Sequence, residues 1–263
     1  MSIICILFAV FLAIYYAVFI QWDWYKPNYS EVKMKTIGML GGMSWESTAQ
    51  YYRLINQAVN HRLKGLHSAS LILRSVDFEN IAFLQQKGDW KEAGKILSEE
   101  AINLEKAGAD FLLICTNTMH KVAPEITASI SVPVLHIADT TAEVLQQENI
   151  SRVGLLGTAF TMEQSFYTSR LTNKFGIEVI TPNADDRAVV HNIIYKELCK
   201  GKIKDESRKK YLNIISALAA DGCQGVILGC TEISLLVKQI DTDVPLFDTT
   251  ELHALAAVNS ALS

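Results

Sequence analysis

Two short stretches of the chain each run an apolar segment into a cysteine followed by a small polar residue: FLLICTNT, which carries Cys115, and VILGCTEI, which carries Cys230. A thiol where a strand ends beside a helix N-terminus has its pKa drawn below the free value of about 8.5, because the aligned amide dipoles favour thiolate. One such thiolate suits nucleophilic attack, which also calls for His and Asn or Asp partners. Two thiols on opposite faces of one substrate suit another reaction. One removes a proton from carbon and the other returns a proton to the opposite face. That sequence inverts a stereocentre and needs neither cofactor nor metal.

The elements that must place these thiols follow from the apolar periodicity. Lys35–Gly41, Ser70–Val76, Phe111–Cys115 and Val134–Ile137 read as buried strands, and Trp45–Leu63 and Asp89–Ala107 as helices. In the second helix Trp90, Ala93, Leu97, Ala101 and Leu104 keep to one face, and Gly108 ends it. Strand and helix in alternation predict an α/β fold, a mostly parallel sheet with helices on both faces.

The second half of the chain then repeats the first. IGMLGG at 37–42 returns as VGLLGT at 153–158, Cys115 returns as Cys230, and Pro133 of SVPVLHIADTT returns as Pro245 of DVPLFDTT, at offsets of 116, 115 and 112 residues. The expectation is two similar, pseudo-symmetric α/β domains, 34–138 and 139–250, with the last helix (251–262) packing back on the first. Ligands of parallel sheets bind beyond the carboxyl ends of the strands, beside helix N-termini. Facing halves would therefore present one cysteine from each side of a shared cleft.

The composition narrows the alternatives. The 263 residues are 49% apolar and 20% charged, with a formal net charge of −4 and no basic stripe, so no nucleic-acid partner is expected. Cys5, Cys199 and Cys223 complete an odd count with no C-x-x-C pair, which excludes a disulfide framework and a zinc site. Cys199 and Cys223 read as small buried hydrophobes. His120, His136 and His253 have no metal-binding spacing and read as local hydrogen-bond partners, while Asp139 and Asp248 read as caps of the next helices. Residues 1–33 differ from the rest. Ile3–Ile20 is an uncharged, largely apolar run followed by Trp22, Trp24 and Tyr25, long enough to contact or span a membrane. Lys26, Lys33 and Lys35 would then keep the catalytic part cytoplasmic. The competing reading is a start codon set upstream of Met34, which opens a self-sufficient domain.

From Met34 to its end, about 230 residues, the chain resembles the aspartate/glutamate racemase family of cofactor-independent, two-cysteine enzymes. GGMSWEST, HSASLILRSVDF, CTNTMHKVA, LLGTAFTMEQSFY and GCTEISLL are similar in particular to its bacterial L-aspartate/glutamate-specific branch. The resemblance implies Cys115 and Cys230 as the acid/base pair, an amino-acid substrate and a homodimer. It further implies substrate contacts from Met43, Ser44, Gln85, Asn117, Thr118, Thr158, Thr231 and Glu232, with Glu232 suited to an ammonium group. Some aspartate-specific relatives hold the side-chain carboxylate with a Lys, whereas the corresponding stretch here is DDRAVVHNIIY, with Val189 near that place; Arg187, His191 and Arg74 are the nearby alternatives. The rival functions are hydantoin racemisation or dicarboxylate isomerisation on the same scaffold, and a membrane-tethered amino-acid sensor without turnover.

Overall fold

A computed structural model describes residues 33–263, and Met34–Ser263 form one compact unit. The apolar run at 3–20 lies outside the described residues. Among the described residues no helix is long and apolar enough to cross a membrane.

The unit contains two parallel four-stranded sheets. The first has β1 (Ile37–Gly41), β2 (Leu71–Ser75), β3 (Phe111–Ile114) and β4 (Val134–Leu135) in the order β2-β1-β3-β4. The second has β5 (Arg152–Gly157), β6 (Glu178–Ile180), β7 (Val226–Gly229) and β8 (Leu246–Asp248) in the matching order β6-β5-β7-β8. In each, the chain leaves the central strand for one edge and returns on the other side. That reversal opens a crevice between β1 and β3, and again between β5 and β7, at the carboxyl ends of the strands.

Helices α1 (Trp45–Leu63), α2 (Phe78–Lys87), α3 (Trp90–Lys106) and α4 (Ala123–Ser129) belong to the first half. In α3, Asp89 caps the start by accepting from the Glu92 amide, and Ala93, Leu97, Ala101 and Leu104 form the buried stripe. This stripe packs with Leu112 and Ile114 on one face of the sheet, while Tyr51, Ile55 and Val59 of α1 pack with Phe111 and Leu113 on the other. Strand β2 departs from the expected buried strand. It is an edge strand whose Leu73, Arg74 and Ser75 are exposed. Ile137, expected at the end of a strand, opens a helix instead.

That helix, α5 (Ile137–Gln147), is followed by α6 (Ala159–Glu163), α7 (Ser165–Phe175), α8 (Ala184–Lys196), α9 (Asp205–Ala220), the short α10 (Ile233–Leu236) and α11 (Thr249–Ala261). The helices after β4 and β8 change partners. Ile137, Ala142 and Leu145 of α5 enter the core of the second sheet with Leu155 and Ile227, while Ala254, Ala257 and Val258 of α11 enter that of the first. Each half therefore lends one helix to the other, which ties them together around the cleft.

Candidate active site

The cleft lies where the carboxyl ends of β1, β3, β5 and β7 meet and encloses about 490 Å³ of empty space, including its mouth. Its walls carry Cys230, Thr231 and Glu232 from the second half and Thr116, Asn117 and Thr118 from the first. Met43, Ser44, Gln85 and Thr158, all anticipated from the sequence, also line it, together with Ser47, Phe78, Ile194, Tyr195, Cys199 and Gly229, which were not.

Cys115 does not line the cleft. It is 0% exposed and packs with Phe111 and Leu113 against α1 and α11. The strand register explains this. Gly38 pairs with Leu112 in the first sheet and its counterpart Gly154 pairs with Val226 in the second, so Leu112 corresponds to Val226. Counting forward, Cys115 corresponds to Gly229, and the counterpart of Cys230 is Thr116. The alignment of the two cysteines by letter is thus one residue out of register, and in a strand one residue reverses the face. Cys230 continues the face of Val226 and Leu228. Thr116 continues that of Leu112 and Ile114, and is half-buried at the cleft wall.

The anticipated depression of the thiol pKa does not occur either. Burial pushes the Cys230 thiol well up, and the Glu232 carboxylate beside it adds to the effect. Burial alone raises Cys115. The Cys230 Sγ–H donates to Glu232 Oε2 at 3.0 Å, and Ser44 Oγ donates to Oε1 at 3.0 Å. Cys199, expected only in the core, stands with its Sγ 3.9 Å from Glu232 Oε1, and burial followed by the Glu232 charge pushes it up to about 12. The resting site thus holds a protonated Cys230 thiol hydrogen-bonded to the Glu232 carboxylate.

The first half supplies complementary polar groups. Ser44 caps α1 by accepting from the Ser47 amide. Gly42, at φ 93°, turns the chain where a Cβ would stand 2.2 Å from the Val76 carbonyl oxygen, so only glycine fits. Asn117 Nδ2 donates to Thr249 Oγ1 at 2.9 Å, and Thr249 donates to the Leu228 carbonyl at 2.9 Å. Asn117 Oδ1 is a buried acceptor with no partner among the described residues. The Thr118 and Thr158 hydroxyls meet across the halves at 3.3 Å, and Gln85 Nε2 contacts Met119 Sδ at 2.9 Å. Behind Thr116, His120 Nδ1–H donates to its carbonyl at 2.7 Å, while Nε2 accepts from the Ile137 amide at 3.2 Å, so the ring is neutral and fully satisfied.

None of the cations considered for a side-chain carboxylate reaches the cleft. Arg74 pairs with Glu100 at 2.5 and 2.6 Å on the outside of β2. Arg187 is held by Glu163 and the Pro182 carbonyl. His191 Nδ1 accepts from the Ala159 amide at 3.1 Å with its ring against Tyr195, and Val189 packs on the core. Asp248 caps α11, but Asp139 pairs with Arg170 and Lys174, and His136 caps α5 in its place.

Comparison with known proteins bears on the same residues. The family model for Asp/Glu/hydantoin racemases matches residues 40–257. A candidate Asp/Glu racemase from Yersinia pestis is 57% identical, with a TM-score of 0.84 over 88% of this chain and 100% of that one. An aspartate racemase homologue from Pyrococcus horikoshii OT3 is 34% identical, with a TM-score of 0.78 over the same shares. The broad specificity amino-acid racemase RacX of Bacillus subtilis is 25% identical over 235 residues, 86% of this chain and 98% of RacX. With the model spanning both sheets and the cleft between them, the chain belongs to the Asp/Glu/hydantoin racemase family.

Proposed function

We propose that the protein interconverts the enantiomers of small amino acids, aspartate and glutamate among them, by moving the α-proton across the cleft between Cys230 on one face and Thr116 on the other. The observation that carries this reading is the equivalence of Thr116 and Cys230 at the ends of β3 and β7. In it, the Glu232 carboxylate and the unpartnered Asn117 Oδ1 accept from the substrate ammonium, and the Thr118 and Thr158 hydroxyls donate to its α-carboxylate. An ammonium group beside Glu232 opposes the negative charge that holds the Cys230 thiol protonated, so thiolate becomes accessible in the complex. The thiol gives up its proton to solvent as the ammonium settles on Glu232, and the thiolate takes the α-hydrogen. The Thr116 hydroxyl then gives its proton to the opposite face of the carbanion, and the alkoxide it leaves takes a proton back from water as product departs.

A threonine hydroxyl is a far weaker acid than a thiol, so the two faces are unequal. Enantiomers have equal free energy, so the efficiency of inversion is the same in both directions. The inequality emerges in hydrogen exchange instead. The carbanion returns to Cys230 more often than it is captured from the Thr116 side. The enantiomer whose α-hydrogen faces Cys230 therefore exchanges with retention, and the other mostly inverts. Incubation of each enantiomer of aspartate and glutamate in heavy water, with α-proton NMR and chiral chromatography, tests this. Exchange exceeding inversion for one enantiomer alone supports the reading. An absence of both exchange and inversion across amino acids rejects it.

The absence of Lys, Arg or His among the described lining residues favours a broad side-chain scope. Phe78, Gln85, Ile194 and Tyr195 offer a neutral wall with amide and phenol groups, in line with the broad specificity named for RacX.

A further inference from the structure

Ser47 lies in the first turn of α1 and is buried in the cleft wall. Its hydroxyl donates to the Cys115 carbonyl oxygen at 3.0 Å and lies 2.7 Å from Thr231 Oγ1. A serine hydroxyl has one proton. Because that proton goes to Cys115 O, Thr231 must be the donor in the second bond. The result is a directed chain, Thr231 Oγ1–H to Ser47 Oγ–H to Cys115 C=O, whose members polarise one another. Cys115 immediately precedes Thr116, and Thr231 immediately follows Cys230. One buried side chain thus joins the two strand ends that carry the opposed groups of the reaction.

We infer that Ser47 is a positioning residue that fixes the separation of Thr116 and Cys230 across the substrate; the inference rests on the racemase reading above. The Cys115 amide is tied to Leu40 and the Thr116 carbonyl to His120, which hold the first strand end to its own half. Ser47 holds it to the opposite half. A parallel link runs from the Ser47 amide to Ser44 Oγ and on to Glu232. Ser47→Ala leaves this second link in place, because it uses the backbone N–H, and removes only the first.

Deprotonation at Cys230 needs substrate against that one thiol, whereas inversion needs both faces at the correct spacing at once. Loss of the Ser47 hydroxyl therefore reduces capture from the Thr116 side more than it reduces proton removal by Cys230. The readout is the ratio of α-hydrogen exchange to inversion for the enantiomer that exchanges with retention, measured in heavy water. This ratio is independent of the fraction of molecules that fold, so general destabilisation leaves it unmoved. In Ser47→Ala it should rise at least about tenfold, since displacements of about 1 Å carry rate losses up to the order of 10²-fold. Ser47→Thr, which keeps the hydroxyl, should return it toward the wild-type value. A ratio in Ser47→Ala equal to that of the wild type overturns the positioning role while leaving the racemase reading intact. A wild-type protein that neither exchanges nor inverts any amino acid overturns that reading and the inference with it.

Discussion

Thr116 in the first half occupies the position of Cys230 in the second, each four residues after the pair, Leu112 and Val226, that the strand pairing equates. The neighbouring Cys115 is turned to the opposite face of its sheet and sealed beneath α1 and α11. A pocket built on a repeat has thus acquired chemically different groups on its two sides.

Removing the hydroxyl from one of those sides separates exchange from inversion. Thr116→Val should lower inversion by roughly 10²-fold or more, the range for a lost proton donor, while exchange of one enantiomer persists. Thr116→Cys should bring exchange with retention of the two enantiomers to comparable rates, because each face then carries a thiol. Proton NMR in heavy water reads both effects. Equal loss of exchange and inversion in Thr116→Val would place the hydroxyl outside the proton path.

Glu232 is predicted to act on both the thiol and the ammonium. Its negative charge is among the causes that raise the Cys230 pKa, so Glu232→Gln should shift thiol alkylation to lower pH. The same change removes a charged acceptor worth about 1.5–3 kcal/mol, and should raise KM roughly 10- to 150-fold. Alkylation rates against pH, followed at Cys230 by mass spectrometry, test the first effect. A profile unmoved or shifted upward would show that Glu232 does not set the thiol.

A cleft to which the described residues bring no Lys, Arg or His predicts weak discrimination between a side-chain carboxylate and its amide. A charged partner for that carboxylate would contribute about 1.5–3 kcal/mol, hence a preference of 10- to 150-fold. Without one, kcat/KM for asparagine and glutamine should lie within about tenfold of the values for aspartate and glutamate. A strong preference for the acids would require a cation that the described residues do not bring to the cleft.

Acid should weaken the fold through the histidines behind the site. Burial lowers all three, His136 to about 3 and His253 to about 4, from an ordinary value of 6.5, with His120 also well below it. The folded state therefore prefers neutral rings, and their contribution is fully present above pH 6.5. It is lost as pH falls from there toward the folded values, by about 1.4 kcal/mol per pH unit for each group. The urea midpoint should already drop between about pH 6.5 and 5, above the ordinary carboxylate range. A flat midpoint there would contradict the buried neutral state.

Much of this architecture is legible in the sequence because periodicity and repetition are local properties. Gly38 and Gly154 mark central strands, Pro133 and Pro245 precede the edge strands, and the α3 stripe is visible at spacings of three and four. The cleft residues Ser44, Asn117, Thr158 and Glu232 follow from the same strand ends. Cys115 misleads because letter identity outweighs register when cysteine is rare, and only the pairing of β1 with β3 reveals the one-residue slip. The pairing of Gly38 with Leu112 and of Gly154 with Val226 is the signal that identifies Thr116. Ser47, Tyr195 and Cys199 were missed for another reason. They reach the cleft through tertiary packing, Ser47 beside Thr231 and Cys199 beside Glu232, and nothing in their local sequence encodes that placement.

The most direct test of the account compares Cys115→Ser with Cys230→Ser, each supplied with both enantiomers of aspartate and glutamate in heavy water. The account predicts that Cys115→Ser exchanges and inverts within about threefold of the wild type, as a change behind the site should, while Cys230→Ser loses exchange and inversion by roughly 10²- to 10⁴-fold. Abolition of both processes in a folded Cys115→Ser, or their survival in Cys230→Ser, would contradict it.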